Sequence, residues 1–250
     1  MNAYVAAIAL LTLRIGPVFV LSPPFSLVRV PQRVRVCLVL ALSALLAPVL
    51  PMALPANEGA FVLSALSELL IGLTFAVSLQ LAFAALSFAG RVLDVQAGYG
   101  LALVIDPSTR AQSPLFGTIF ALAAAAIFFA SNGHLELVRV LAASAHAMPI
   151  GLPVMAGTPQ ALIGYLSLLM STAFGAIAAV TVVLFLIDVT IALLSRALPQ
   201  MNALMLGLQV KTIATLLMLT VSSGLLAPVA LRLIRHALDF MAALGPGSAP

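Results

Sequence analysis

Apolar positions in this chain come in long runs separated by short polar or proline-rich breaks, the pattern of helices that meet apolar surroundings on nearly every face. The first run, about residues 3–22, contains Arg14 and Gly16-Pro17 and stops at Ser22-Pro23-Pro24, where consecutive prolines cannot continue a helix. A second extends from Val34 to about Leu50 and is broken up by Pro48, Pro51 and Pro55. The third, Ala60 to Gly90, holds one charge, Glu68, and no proline. About thirty helical residues extend about 45 Å against a hydrocarbon core of about 30 Å. Such a helix must tilt strongly or leave the bilayer and pack inside an assembly.

Residues 91–114 interrupt the pattern. Arg91-Val-Leu-Asp94-Val-Gln-Ala-Gly98-Tyr-Gly100 and Asp106-Pro-Ser-Thr-Arg110-Ala-Gln-Ser-Pro114 are polar and rich in glycine and proline, which predicts a long functional loop. A fourth run covers about 115–131 and stops at Ser131-Asn132-Gly133. Residues 134–148, with His134, Glu136, Arg139 and His146 among apolar positions, predict an amphipathic or partly buried helix. After Pro149, Pro153 and Pro159, a second long run extends from about Gln160 to Leu198 and is charged only at Asp188 and Arg196. Pro199-Gln200-Met201-Asn202 breaks it. Residues 203–227 are apolar except for Lys211, and a last helix over about 229–244 carries Arg232, Arg235 and Asp239. The expected organisation is a single all-α, multi-pass membrane domain over residues 1–244, with a flexible tail at 245–250.

Composition turns that expectation into a membrane assignment. Apolar residues make up 63% of the 250 and charged residues 7%, where a soluble domain carries roughly 25% charged. The surplus apolar area must face lipid or other subunits. The net charge of +4 is scattered, and no basic run interleaved with aromatics suggests nucleic-acid binding. Arg29, Arg33 and Arg35, between two apolar runs, mark a cytoplasmic loop under the positive-inside rule. Six strict crossings would then leave Arg232 and Arg235 outside, so the number of crossings is odd or some hairpins do not cross. The N-terminus lacks the basic region and cleavage site of a signal peptide. The single cysteine, Cys37, excludes an internal disulfide and a cysteine-based zinc site, and reads as a packing residue.

Enzyme chemistry finds little support. The three histidines are too far apart in sequence for a ligand motif, and Gly98-Tyr-Gly100 lacks the third glycine of a nucleotide loop. No cofactor or metal site is expected. The informative residues are the isolated charges Arg14, Glu68, Asp188, Arg196 and Lys211, together with Asp94. Each of the five inside apolar runs would cost about 2.5–3.5 kcal/mol or more in lipid, so such residues pair or face a water-filled interior. Either they form an ion pathway, as in an ion-coupled transporter using Glu68 and Asp188, or they make structural contacts between subunits. Small residues such as Gly72, Gly90, Gly164 and Gly175 permit close helix approach in either case.

Several motifs taken in order resemble one family. They are Arg14-Ile-Gly-Pro17, Val30-Pro-Gln-Arg33-Val-Arg35, Glu68-Leu-Leu-Ile-Gly72, Ala89-Gly90, Gly98 to Gly100, Asp106-Pro107, Asn132-Gly-His134, Met148-Pro-Ile-Gly151 and Ser195-Arg-Ala-Leu-Pro-Gln-Met-Asn202, with Lys211 nine residues on. Over nearly its whole length the chain resembles the FliR family of flagellar type III secretion export gates and its injectisome relatives. The turn at Pro199, Gln200 and Asn202 departs from the family in lacking the aromatic after Asn202 and the proline before Lys211. The resemblance implies helical hairpins forming one subunit of a helical gate raised out of the bacterial inner membrane at the flagellar basal body. It implies FliP-like and FliQ-like partners, an FlhB-like switch protein, and unfolded flagellar subunits as cargo. It further implies a channel plug at Asp106, Pro107, Ser108, Thr109, Arg110, Ala111, Gln112, Ser113, Pro114, Leu115, Phe116 and Gly117. A virulence injectisome homologue is the alternative within the same class.

Overall fold

A computed structural model of the chain describes residues 3–53, 55, 57–99, 114–153, 158–198, 200 and 202–244. Among them lie eight helices: α1 (Ala3–Leu21), α2 (Pro23–Leu27), α3 (Gln32–Leu46), α4 (Glu58–Gln96), α5 (Leu115–Ala130), α6 (Gly133–Ala147), α7 (Pro159–Ala197) and α8 (Ala203–Ala243). The tail at 245–250 lies outside the described residues. A short parallel bridge joins Met52 to Ile150, with the Ala53 N–H donating to the Ile150 carbonyl at 2.8 Å.

The three longest helices start in the same way. Side-chain oxygens of Asn57, Thr158 and Asn202 accept from the backbone N–H of Ala60, Ala161 and Met205. Each satisfies a donor that the first helical turn leaves open. α4 is the centre of the molecule, packed on α1, α5, α7 and α8. Its buried Ile71, Phe75, Leu79, Ala82 and Leu86 recur at three- and four-residue spacing. Phe19, Phe25, Phe83 and Phe128 carry that core across to α1, α2 and α5 through ring contacts of 4.8–6.4 Å.

Four details differ from the pattern read along the chain. Pro23 and Pro24 end α1 but also begin α2, because a first-turn residue needs no N–H partner. α4 runs on through Gln96, across residues expected to be irregular, since Leu93 and Asp94 are buried on its inner side. The two last segments are one helix, α8, with Pro228 inside it. α8 bends by 70° between Met205–Val221 and Leu226–Ala243, where Pro228 removes a helical hydrogen bond. Cys37 is exposed, not packed.

α4 and α7 are each 39 residues long and run side by side in the same direction. Tyr165 donates to the Ser78 carbonyl at 2.7 Å, and the Phe174 ring meets Phe88 at 5.8 Å. This register starts α7 roughly 20 Å along α4 and carries it roughly 20 Å past the other end, about 80 Å in all. The two helices differ in cover: within the apolar 18-residue stretch that marks each as a candidate span, 56% of α4 is buried but only 17% of α7. Three described helices, α1, α4 and α7, are long and apolar enough to cross a membrane, or up to five spans if each bent pair counts as one.

Candidate functional site

Three sequence motifs meet at one buried point. Arg14 on α1 and Glu68 on α4 are both 0% exposed and form a two-pronged ion pair, Nε to Oε2 at 2.5 Å and Nη2 to Oε1 at 2.9 Å. The remaining Arg14 Nη1 donates to the Met148 carbonyl at 2.9 Å. Glu68 Oε1 also accepts the Gly151 N–H at 3.0 Å. The ion pair therefore ties α1 and α4 to the Met148–Gly151 turn after α6. Gly72 lets this happen: a Cβ there would stand 2.5 Å from the Arg14 carbonyl oxygen. Gly151 has φ +91°, and a Cβ on it would strike the Ala53 carbonyl at 2.1 Å. Only glycine fits both the angle and the space.

Ser64 and Ser67 complete the point by donating to the Gly151 and Leu152 carbonyls at 2.5 and 3.3 Å. Neither serine was singled out from the sequence. Ser64 stands three residues before Ser67 and four before Glu68, and that helical spacing is the signal that identifies them. The Met148 carbonyl and Gly151 amide are backbone groups and carry no side-chain signal.

A second clasp holds the start of α5. The Asp94 carboxylate, 5% exposed, accepts the N–H of Phe116 at 3.0 Å and of Gly117 at 3.2 Å. An ionised acceptor suits the open donors and positive end of a helix start. Gly90 and Gly117 meet backbone to backbone, since a Cβ on Gly90 would lie 2.6 Å from the Gly117 nitrogen. The Tyr99 and Phe116 rings touch edge to face at 5.7 Å. The chain thus passes into residues 100–113 and returns from them between neighbouring groups. Of the expected plug, Asp106, Pro107, Ser108, Thr109, Arg110, Ala111, Gln112 and Ser113 lie outside the described residues. Pro114 precedes α5, while Leu115, Phe116 and Gly117 form its first turn, with Phe116 buried.

The remaining charges lie near the far end of α7. Lys211 of α8 forms an ion pair with the half-exposed Asp188 of α7. Arg196 is exposed in the last turn of α7, where a cation is favoured by the helix dipole. Gln200 and Asn202 sit exposed in the turn to α8, and Pro199 lies outside the described residues. Gly164 and Gly175 face open space, with nothing within 4 Å of an added Cβ. Among the described residues, no three His, Cys, Asp or Glu are grouped to hold a metal ion.

Known proteins share this sequence over most of its length. The flagellar biosynthetic protein FliR of Escherichia coli K12 is 27% identical over 236 residues, covering 92% of this chain and 89% of that protein. Its namesake from Bacillus subtilis 168 is 29% identical over 221 residues, covering 86% and 85%. The surface presentation of antigens protein SpaR of Salmonella typhimurium is 30% identical over 171 residues, covering 67% and 64%. The sequence profile described as Bacterial export proteins, family 1, matches residues 5–237. A match across that much of the sequence, on an all-helical apolar scaffold, makes the chain a member of the bacterial export proteins, family 1.

Proposed function

We propose that this chain is a subunit of the bacterial flagellar type III protein-export gate, forming part of the passage for unfolded flagellar subunits and needed for flagellum assembly. One observation about length carries this reading. Leu63 near the start of α4 and Leu193 near the end of α7 are 60% and 62% exposed. In the register of the two helices they stand roughly 65 Å apart, about twice the thickness of a hydrocarbon core. One bilayer cannot cover both. Part of this apolar surface therefore meets other proteins. Membership of the export family supports reading them as FliP-like and FliQ-like subunits in the inner membrane, with an FlhB-like protein alongside.

The flagellar system is favoured over the injectisome by extent of likeness. The FliR proteins above match over 86–92% of the chain, against 67% for SpaR of Salmonella typhimurium. In this reading residues 106–113 work as the plug, anchored on one side by Pro114 and the Asp94 clasp. On the same reading the subunit conducts unfolded polypeptide without catalysing a reaction, and energy comes from elsewhere in the apparatus. Extraction in mild detergent tests the assignment. Two further membrane proteins should copurify in fixed proportion, whereas a solitary chain that transports a small solute in proteoliposomes would remove the gate reading.

A further inference from the structure

Between α4 and α5 the surface changes character. A crevice of about 410 Å³ opens there, edged by Gln80, Ser87 and Arg91 of α4 and Thr118 of α5, with Phe83 of α4, Leu27 of α2 and Pro114 among its apolar lining. Gln80, Ser87 and Arg91 recur at helical spacing and form one stripe roughly 16 Å long. All three, with Thr118, are wholly or partly exposed. Gly117 keeps the crevice open, because a Cβ there would press on the Arg91 stem and the Ser87 carbonyl, each at 3.0 Å. On the other side of the same two helices, Leu86, Ile119 and Phe120 line a groove that is almost wholly apolar. One face of the α4–α5 pair thus suits lipid or packed protein, and the other carries a polar stripe beside apolar positions. A guanidinium and a carboxamide facing hydrocarbon would be costly.

We propose that this crevice is the face the subunit turns to the water-filled export passage, where an extended polypeptide in transit touches Gln80, Ser87, Arg91 and Thr118. The assignment rests on the gate reading. A carboxamide and two hydroxyls bond the main-chain amides that every sequence carries, so they accept varied cargo without selecting side chains. Arg91 adds a single attraction for acidic stretches. Pro114, the first described residue before α5, lines the same crevice.

The test uses the assembled complex in cells exporting a subunit fused to a tightly folded domain, which stalls in passage. Cys37→Ser supplies a background without cysteine. Ser87→Cys, Thr118→Cys and Ile119→Cys are then each modified with a photoactivated, thiol-linked cross-linker. Adducts with the stalled subunit are expected at positions 87 and 118 and are expected to be lost at position 119, one residue along but in the apolar groove. Adducts only with lipid or with a neighbouring membrane subunit at 87 and 118 would overturn the crevice assignment, as would cargo adducts at 119 alone. The gate reading fails on a different result, the absence of any multi-subunit complex around the unsubstituted chain.

Discussion

At Gly72 an added methyl would sit 2.5 Å from the Arg14 carbonyl oxygen and 2.7 Å from that of Leu13, so α1 and α4 touch backbone to backbone beside the ion pair. Gly72→Ala should force the helices apart at about 1–3 kcal/mol, the usual range for overpacking, and lower the melting temperature of the purified complex. Glu68→Ala is expected to be harsher. It strands the Arg14 guanidinium at 0% exposure, and breaking a buried pair from one side costs about 3–5 kcal/mol. Recovery of assembled complex from membranes should collapse, and wild-type recovery would refute the structural role. Exchanging the two charges, Arg14→Glu with Glu68→Arg, should not rescue assembly. Each group also bonds backbone of a fixed kind, the Met148 carbonyl and the Gly151 amide. That Arg14 and Glu68 need partners was legible in the sequence from their apolar surroundings. That they are each other's partner was not, because 54 positions separate them and only the packing of α1 on α4 joins them.

At the scale of elements, the start of α5 depends on a side chain from another helix. Asp94→Ala leaves two buried N–H groups without their charged acceptor, at about 1–3 kcal/mol. The change should loosen the junction between residues 99 and 116, read as new protease cleavage there while the complex still assembles. Unchanged cleavage would mean that Gly90 and Gly117 suffice. Deleting Ser108 to Ser113 should leave both clasps and assembly intact yet make the membrane leaky to small solutes. Assembled complex with normal permeability would dispose of the plug. The long runs announced α4, α7 and most of α8 correctly, since apolar length is read directly from composition. Their ends were harder. Arg91 to Gln96 look like loop in isolation, and helix persists there because Leu93 and Asp94 have partners on other elements. Pro228 looks like a stop, yet the helix bends around it and continues.

For the whole molecule, the membrane assignment followed from 7% charged residues, whereas the relative heights of α4 and α7 followed from nothing visible in the sequence. Contacts as particular as Tyr165 with Ser78 set them. The Asp188–Lys211 pair, whose lysine side chain is 17% exposed, ties α7 to α8 above the end of α4. Asp188 lies within the apolar α7 span, so Lys211→Ala leaves a carboxylate unpaired in apolar surroundings, at about 2.5–3.5 kcal/mol, and should lower recovery of the assembled complex. Unchanged recovery would mean that Asp188 faces water. The offset between the two long helices has one more consequence. A surface that begins low on one helix and ends high on the next offers a neighbour a seat displaced along the axis. Head-to-tail contacts that carry such an axial step cannot close into a flat ring. In the proposed gate, subunits added on such seats would climb like treads on a spiral stair, with the first and last treads at different levels.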